Sequence, residues 1–375
     1  MQEELLQYGS RLNAQELQSV LGHIFQRNND VVAPARPSPV CIWGTHGLGK
    51  TQLVENYGKS LGWKFAYCAP AQFEEMGDLH GMPTIIDPDK ENVGDEYTVF
   101  APPDWVPTEK GPGILLLDDI NRADDRILRG LMQLLQNFEM FSWQLPEQWQ
   151  IVATANPEGG DYSVTPMDDA MLTRMLHLTM VFDAKAWAFW ATRSGVDPRG
   201  ISFVLNYPET VTGKRTTPRT LTQFFQQISN IDDLKAEAEL VAVLANSSLD
   251  DTTVGAFLSF VNDELTELIS PEEILDAKSF APIKKRIAKL AKSASGGHRI
   301  DRLSAICTRM FLHITLEDYK PGKTHKDNLV AFLSDDVIPN DLRMAMVMDI
   351  QKHAGEKVVE MLRDKRLAFL LIDAM

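Results

Sequence analysis

The apolar residues of this sequence follow two patterns, and the change between them falls near residue 184. Before that point, short apolar runs typical of buried strands alternate with stretches of helical spacing. The predicted strands occupy residues 40–43, 64–68, 114–118 and 150–155, and helical spacing fills residues 50–61 and 125–137. Alternation of this kind predicts a parallel sheet with helices on both faces. The pattern after residue 184 predicts helices only.

The N-terminal segment, residues 1–32, predicts a single helix, because its apolar side chains recur at helical spacing. These positions are Leu5, Leu6, Leu12, Leu17, Val20, Leu21, Ile24 and Phe25. A proline-rich stretch at 33–39 then separates this helix from the first strand. Residues 70–112 hold many prolines and glycines and predict a long irregular loop. Loops of this length inside a compact domain usually have a function.

Length and composition are typical of a soluble globular protein with two or three domains. The chain has 375 residues, of which 44% are apolar and 24% are charged. The longest apolar runs are only strand-length, so we expect no membrane span. The first residues are acidic and do not resemble a signal peptide. Three widely spaced cysteines favour reduced thiols in a cytoplasmic protein over disulfides or zinc.

The formal net charge of −15 is unfavourable for contact with polyanions over most of the surface. One basic segment, from Lys278 to Arg302, is the exception. Its basic residues are Lys278, Lys284, Lys285, Arg286, Lys289, Lys292, Arg299 and Arg302, against the single acid Asp301. A solvated helix face explains this segment as well as a nucleic-acid contact does.

Residues 44–51 read Gly-Thr-His-Gly-Leu-Gly-Lys-Thr and match the P-loop pattern G-x-x-x-x-G-K-[ST] in full. Such glycines allow a tight turn that aims backbone N–H groups and the next helix N-terminus at an anion. We expect Lys50 to contact the β- and γ-phosphates of ATP and the Thr51 hydroxyl to bind Mg²⁺. His46 stands at a variable position and is given no specific role. The candidate nucleotide-binding residues are Gly44, Thr45, His46, Gly47, Leu48, Gly49, Lys50, Thr51 and Gln52.

Two acidic residues, Asp118 and Asp119, directly follow the apolar run 114–117. We expect Asp118 to hold Mg²⁺ through its water shell, and Asp119 to orient and deprotonate the attacking water. An apolar run before two acids is by itself often just a strand entering a turn. The pairing with the P-loop is informative because one helix–strand unit lies between the two motifs.

A family resemblance rests on this acidic motif and on three segments that follow it. Residues 118–123, Asp-Asp-Ile-Asn-Arg-Ala, resemble the "LDEINRA" signature of MoxR-like ATPases, a branch of the AAA+ superfamily related to the dynein and midasin modules. Residues 151–157 resemble the sensor-1 strand, 167–174 the segment that carries the arginine finger, and 216–219 the sensor-2 site. The order and spacing of these motifs are more specific than any one of them.

The resemblance implies roles for three further side chains. Asn156 would form a hydrogen bond with the γ-phosphate or the attacking water. Arg174 would reach the γ-phosphate in a neighbouring subunit, and Arg219 would contact the phosphates from a lid domain. Together with Lys50 and Asp119, these residues form the candidate catalytic set, and Thr51 and Asp118 are the candidate metal ligands.

The resemblance also implies the fold and the assembly. We expect a P-loop AAA+ parallel sheet flanked by helices, followed by an α-helical lid and a C-terminal α-helical domain. The α/β nucleotide-binding domain would span residues 33–183, the lid 184–248 and the C-terminal domain 249–375. The family forms rings, so a hexamer that uses ATP and Mg²⁺ to remodel or activate a protein client is implied. Proteins with a von Willebrand factor A domain are candidate clients.

One position departs from the family pattern, because Asp119 stands where the family normally has Glu. The shorter side chain withdraws the carboxylate by about one C–C bond, and displacements of ~1 Å can cost around 100-fold in rate. Slow hydrolysis is therefore expected, with an ATP-binding structural module as the alternative. A nucleic-acid-linked motor or clamp-loader-like switch, using the basic segment, is a further alternative.

Overall fold

The computed structural model describes residues 8–31, 35–86, 96–159, 163–211, 214–264, 269–291, 299–322 and 324–367. The chain divides into two compact units, Met1–Asp183 and Ala184–Met375. The first unit is built on a parallel sheet, and the second is helical in its described residues.

The first unit contains a main sheet, two small hairpins and the helices that cover them. In chain order its strands are β1 (Ser10–Leu12), β2 (Val40–Trp43), β3 (Lys64–Cys68), β4 (Met82–Ile86), β5 (Tyr97–Ala101), β6 (Gly113–Leu117), β7 (Glu139–Met140), β8 (Trp143–Gln144), β9 (Trp149–Ala155) and β10 (Leu176–Met180). Its helices are α1 (Ala14–Asn29), α2 (Lys50–Ser60), α3 (Met76–His80), α4 (Asp125–Asn137) and α5 (Asp169–Leu172).

The main sheet has six strands in the order β1-β10-β2-β9-β6-β3, and all neighbouring strands are parallel. The P-loop strand β2 is central, and its residues are all buried. Alternate strand residues face two separate cores: Ile42 and Leu116 pack with α1 and α2, whereas Leu115 and Ile151 pack with α4. The prediction of a parallel sheet with helices on both faces is confirmed.

The expected N-terminal helix is wrong in its first part. Residues 1–7 lie outside the described residues, but Ser10–Leu12 form an edge strand that pairs in parallel with Leu178–Met180. Helix α1 begins only at Ala14, because Asn13 caps it. The Asn13 side chain accepts hydrogen bonds from the N–H groups of residues 15 and 16, and the side chain of Glu16 accepts from the Asn13 N–H. This capping box fixes the start of the helix and leaves the preceding residues free to join the sheet.

The segment 70–112 is more regular than its composition predicts. It contains α3 and an antiparallel hairpin in which β4 pairs with β5 along five residues each. The hairpin exposes apolar side chains on its strands, among them Met82, Ile85 and Tyr97. β-Branched and aromatic residues such as those in Tyr97–Ala101 favour extended backbone. This local preference explains why the segment forms a hairpin despite its prolines.

The second unit is helical in its described residues. Its helices are α6 (Ala184–Arg193), α7 (Pro198–Asn206), α8 (Pro218–Ile228), α9 (Ala238–Ser248), α10 (Asp251–Ser259), α11 (Pro271–Leu275), α12 (Phe280–Leu290), α13 (Ile300–Ile314), α14 (His325–Leu333), α15 (Asn340–His353) and α16 (Glu356–Val359). Phe203, Phe224, Phe225, Phe257 and Phe260 form a fully buried aromatic cluster. No helix among the described residues is long and apolar enough to cross a bilayer.

The packing of α4 against the main sheet can be tested by substitution of Leu131. This residue of α4 is fully buried in the core that also contains Leu115 and Ile151. We expect Leu131→Ala to lower the free energy of unfolding by about 2–5 kcal/mol, because it removes buried apolar contacts and leaves a cavity. Urea denaturation followed by circular dichroism measures the change. Leu61→Ala is the matched control, since Leu61 is 41% exposed and should cost less than about 1 kcal/mol. Equal losses in the two variants would contradict the described core.

Candidate functional site

The P-loop joins the central strand β2 to the start of α2. The Gly44 N–H donates a 3.2 Å hydrogen bond to the carbonyl of Ala155 at the end of β9. A Cβ atom at Gly44 would lie 2.9 Å from the Met180 carbonyl oxygen, so only glycine fits there. Gly49 has φ of 91° immediately before α2, a conformation that glycine adopts without strain. The loop therefore runs between three strand ends and delivers Lys50 as the first residue of the helix.

Lys50 is only 6% exposed, and its ammonium group contacts this loop. It donates hydrogen bonds to the carbonyl oxygens of Gly44 at 2.7 Å and Thr45 at 3.2 Å, and to Oδ1 of Asn156 at 3.3 Å. A buried ammonium group needs such acceptors, because burial without them is costly. The contacts hold the positive charge at the concave side of the loop, where the pattern predicts a triphosphate.

The Asp118 carboxylate is held by three hydroxyl groups. Oδ1 accepts hydrogen bonds from the hydroxyls of Thr51 and Thr154, both at 2.7 Å, and Oδ2 accepts from the Tyr67 hydroxyl at 3.2 Å. Thr51 is the second residue of α2, and Thr154 lies near the end of β9. The two residues predicted to bind Mg²⁺, Thr51 and Asp118, are thus in direct contact.

Tyr67 stays protonated beside this carboxylate. Burial of its hydroxyl, the nearby Asp118 charge and the hydrogen bond to Asp118 together raise the pKa of Tyr67 to about 12. Each effect favours the neutral phenol over phenolate. The hydroxyl is therefore a hydrogen-bond donor throughout the physiological pH range.

Asp119 has a left-handed backbone, with φ of 48° and ψ of 46°, which is uncommon for a residue other than glycine. Its N–H donates to the Thr154 hydroxyl at 2.8 Å. Its carboxylate accepts a 2.9 Å hydrogen bond from Nδ2 of Asn156 and lies 3.4 Å from Nε of Arg122. Contacts at both its backbone and its side chain keep this conformation in place, as is common for strained residues at functional sites.

Asn121 and Asn156 form a reciprocal pair beneath the site, and both are fully buried. The Asn121 side chain donates to the Asn156 carbonyl at 2.8 Å and accepts from the Asn156 N–H at 3.0 Å. The peptide group of Asn156 is thereby fixed, and its side chain is free to contact Lys50 and Asp119. Buried amides with both ends satisfied position a backbone accurately.

The remaining predicted residues of the loop have other surroundings. Leu48 packs against the core that the sheet forms with α1 and α2. Gln52 lies on the exposed side of α2, where its side chain donates to Asn56 at 3.1 Å. Thr45 contributes its carbonyl, as described above, and His46 and Gly47 lie in the turn itself.

The arginines of the sequence motifs lie in different places. Arg122 forms an ion pair with Asp119, and the nearby acids Asp124 and Asp125 pair with Arg126 and Arg129. Arg174 follows α5, where its Nε donates to Gln136 at 3.1 Å. It is thus bound to its own chain through α4, outside the hydrogen-bonded group around Lys50.

Arg219 lies in the second unit, exposed at the second position of α8. Thr217 caps this helix by accepting from the Thr220 N–H, and Pro218 occupies its first position. Both are preferred residues at a helix start. Thr216 anchors the same turn by donating a 2.5 Å hydrogen bond to Asp250.

Sequence reasoning missed three contributors to the site: Tyr67, Asn121 and Thr154. Thr154 could have been noticed as a polar residue between two alanines of a buried strand, since buried polar groups need partners. Asn121 lies within the acidic motif, but only the structure shows that it pairs with Asn156. Tyr67 gave no signal, because an aromatic residue in a strand is ordinary.

Comparisons with known proteins agree with this geometry. Residues 39–175 match the family model described as AAA domain (dynein-related subfamily). A curated relative, the ATP-dependent protease ATP-binding subunit-like protein of Rhodococcus erythropolis, is 31% identical over 116 residues. That match covers 28% of this chain and 31% of the relative, so the chain spans about a third of the relative's length.

Among solved structures, the similarities are weak in sequence. The RuvB Holliday junction branch migration motor of Thermotoga maritima has a TM-score of 0.37 and 14% identity, covering 78% of this chain and 86% of that chain. A mutant of the same RuvB has a TM-score of 0.39 and 12% identity, covering 87% of this chain and 95% of that chain. Similarity at this level carries no functional argument.

Removal of the Asn121 side chain tests the buried amide pair. We expect Asn121→Ala to lower the free energy of unfolding by about 2–4 kcal/mol, because the buried N–H and carbonyl of Asn156 lose their partners. Urea denaturation gives the value. The control is Asn56→Ala, which changes the same side chain at an exposed position of α2 and should have an effect within about 0.5 kcal/mol. An Asn121 variant as stable as the control would show that the pair does not hold the site together.

Proposed function

We propose that this protein is an AAA+ ATPase that binds ATP with Mg²⁺ and hydrolyses it within a homo-oligomeric ring, a proposal supported by the match of residues 39–175 to the AAA domain model. The ring, taken as hexameric, would use the cycle to remodel or activate a protein client in the cytoplasm. One observation carries the proposal: Asn156 links Lys50, at 3.3 Å, to Asp119, at 2.9 Å, beside the contact between Thr51 and Asp118. The groups required for phosphate binding, metal binding and water activation are adjacent.

The residues present fit a magnesium ion. Thr51 and Asp118 offer hard oxygen atoms that are already in contact. No group of three or more His, Cys, Asp or Glu side chains suited to a metal occurs in the part of the chain that the structure describes. A single carboxylate with one hydroxyl is typical of Mg²⁺, which keeps several waters and shares substrate phosphates. When bound, the ion would neutralise charge on the β- and γ-phosphates.

The chemistry proposed is in-line attack of water on the γ-phosphorus of ATP. Lys50 exchanges part of its carbonyl contacts for phosphate oxygens, and the loop N–H groups surround the β-phosphate. Asp119 accepts a proton from water while Asn156 orients it. A bond forms between the water oxygen and phosphorus, the bond to the bridging oxygen breaks, and ADP and phosphate leave.

The short side chain of Asp119 affects the rate of ATP hydrolysis that we expect. The carboxylate contacts both Asn156 and Arg122 in this structure, and these two contacts determine where it lies. Slow but real turnover is the outcome we favour. An ATP-binding structural module with little hydrolysis is the alternative that the same residue motivates.

The ring and the client belong to the proposal through the family resemblance. Arg174 would act on ATP in the neighbouring subunit, and Arg219 would act from a lid formed by residues 184–248. Residues 249–375 would form a C-terminal helical domain. The name of the Rhodococcus relative refers to a protease subunit, which supports a protein client over other substrates. A von Willebrand factor A domain protein is one candidate client.

A nucleic-acid-linked motor has less support. Three basic residues of the segment 278–302 are ion-paired: Lys284 lies 3.2 Å from Asp335, Arg286 lies 3.2 Å from Glu273, and Arg299 lies 2.7 Å from Asp301. Lys292 lies outside the described residues. Paired charges favour a solvated protein surface over a site for phosphates.

Two substitutions separate nucleotide binding from hydrolysis. We expect Lys50→Ala to weaken ATP binding on the order of 100-fold, because it removes the buried charge that faces the phosphates. We expect Asp119→Asn to retain ATP binding within a few-fold but to lower kcat by at least ~100-fold, since the general base is lost. Binding is measured with a fluorescent ATP analogue, and turnover by phosphate release.

The matched control is Asp125→Asn, which makes the same change at an exposed acid of α4 that pairs with Arg129. It should leave both quantities unchanged. If wild type and Asp119→Asn release phosphate at the same background rate while ATP still binds, the structural-module alternative becomes the better one.

The dependence of turnover on protein concentration tests active sites shared between subunits. We expect the rate per subunit to rise with concentration in wild type and to stay near background in Arg174→Ala, because an arginine finger contributes a large factor to kcat. The control is Arg129→Ala, an exposed arginine of α4. A rate per subunit that is independent of concentration in an active wild type would argue against the ring.

A further inference from the structure

Tyr67 is the fourth residue of β3, the edge strand of the main sheet, and it pairs with Leu116 of β6. The residue is 47% exposed, and its hydroxyl donates to Oδ2 of Asp118 at 3.2 Å. Asp118 directly follows β6, and its N–H donates to the carbonyl of Cys68, the residue after Tyr67. The strand pairing thus sets the distance between the phenol and the carboxylate.

The three hydroxyl groups around Asp118 donate hydrogen bonds to both of its carboxylate oxygen atoms. Thr51 and Thr154 both donate to Oδ1, and Tyr67 donates to Oδ2. Contacts to one oxygen alone would let the carboxylate rotate about its Cβ–Cγ bond. A donor on each oxygen fixes the plane of the group, and hydrogen bonds to a charged acceptor are stronger than those between neutral groups.

We propose that Tyr67 is a positioning residue for magnesium-dependent ATP binding, acting through the orientation of the Asp118 carboxylate. The inference rests on the proposed function, since it assigns Tyr67 to the metal site used in that reaction. The plain alternative is that Tyr67 only covers the edge of the sheet. That alternative predicts that Tyr67→Phe leaves the gain in ATP affinity from magnesium unchanged.

The test compares the affinity for the fluorescent analogue mant-ATP in excess magnesium and in EDTA. The ratio of the two dissociation constants measures how much the metal strengthens binding, without any hydrolysis. We expect Tyr67→Phe to reduce this ratio by about three- to tenfold, the size of one typical net hydrogen bond. The affinity in EDTA should stay within about twofold of wild type, and the melting temperature should be nearly unchanged.

Two controls make the result specific. Tyr97→Phe removes a hydroxyl from another tyrosine, 53% exposed in the β4–β5 hairpin, and should leave the ratio unchanged. In an Asp118→Asn background, Tyr67→Phe should have no further effect on the ratio, because residues that act through one another are not additive.

The outcomes separate this inference from the function it rests on. No magnesium enhancement in wild type would overturn the proposed metal site and the role of Tyr67 with it. A normal enhancement in wild type that Tyr67→Phe preserves would overturn the role of Tyr67 alone. Equal loss of affinity with magnesium and with EDTA would assign Tyr67 a structural role and would also overturn the proposal.

Discussion

The parallel alignment of β2, β6 and β9 is the constraint on which the candidate site depends. The ends of these strands deliver Gly44, Asp118 and Asn156 to one edge of the sheet, and backbone pairing fixes their relative heights. The hydrogen bond between Gly44 and the Ala155 carbonyl continues this pairing into the P-loop. Ligand sites at the carboxyl ends of parallel strands follow from the same geometry in other open sheets.

A second layer of polar contacts refines the positions that the sheet provides. Asn121 fixes the peptide of Asn156, and Thr154 connects the backbone of Asp119 to the side chain of Asp118. Asn121, Thr154 and Asn156 are fully buried, so hydrogen bonds that they form act in a medium of low dielectric and are costly to leave unmade. The left-handed backbone of Asp119 persists within this network. The network fixes the backbone of Asp119, and this backbone conformation determines where the short side chain places its carboxylate.

Much of this arrangement could be predicted from the sequence, because the signals were local. The strand runs predicted the parallel sheet, and the P-loop pattern and the two acids predicted Lys50, Thr51, Asp118 and Asp119. Asn156 was implied by the family resemblance. The edge strand at Ser10–Leu12 was not predictable, because its partner, β10, lies far along the chain. Tyr67 and Asn121 were missed for the same reason: their roles depend on contacts between segments. The hairpin β4–β5 was hidden by its prolines and glycines.

The side chain of Asn156 has a consequence beyond its contacts, because its amide is a dipole between two opposite charges. The oxygen faces the ammonium group of Lys50, and the NH₂ group faces the carboxylate of Asp119. A flipped amide would oppose both charges at once, so its polarity is set by its neighbours. A change in charge next to Lys50 therefore alters the electrostatic force on this dipole, and this in turn changes the strength of the hydrogen bond to Asp119. The Asn156 amide thus provides an electrostatic coupling between Lys50, where an anion would bind, and Asp119, which would accept a proton.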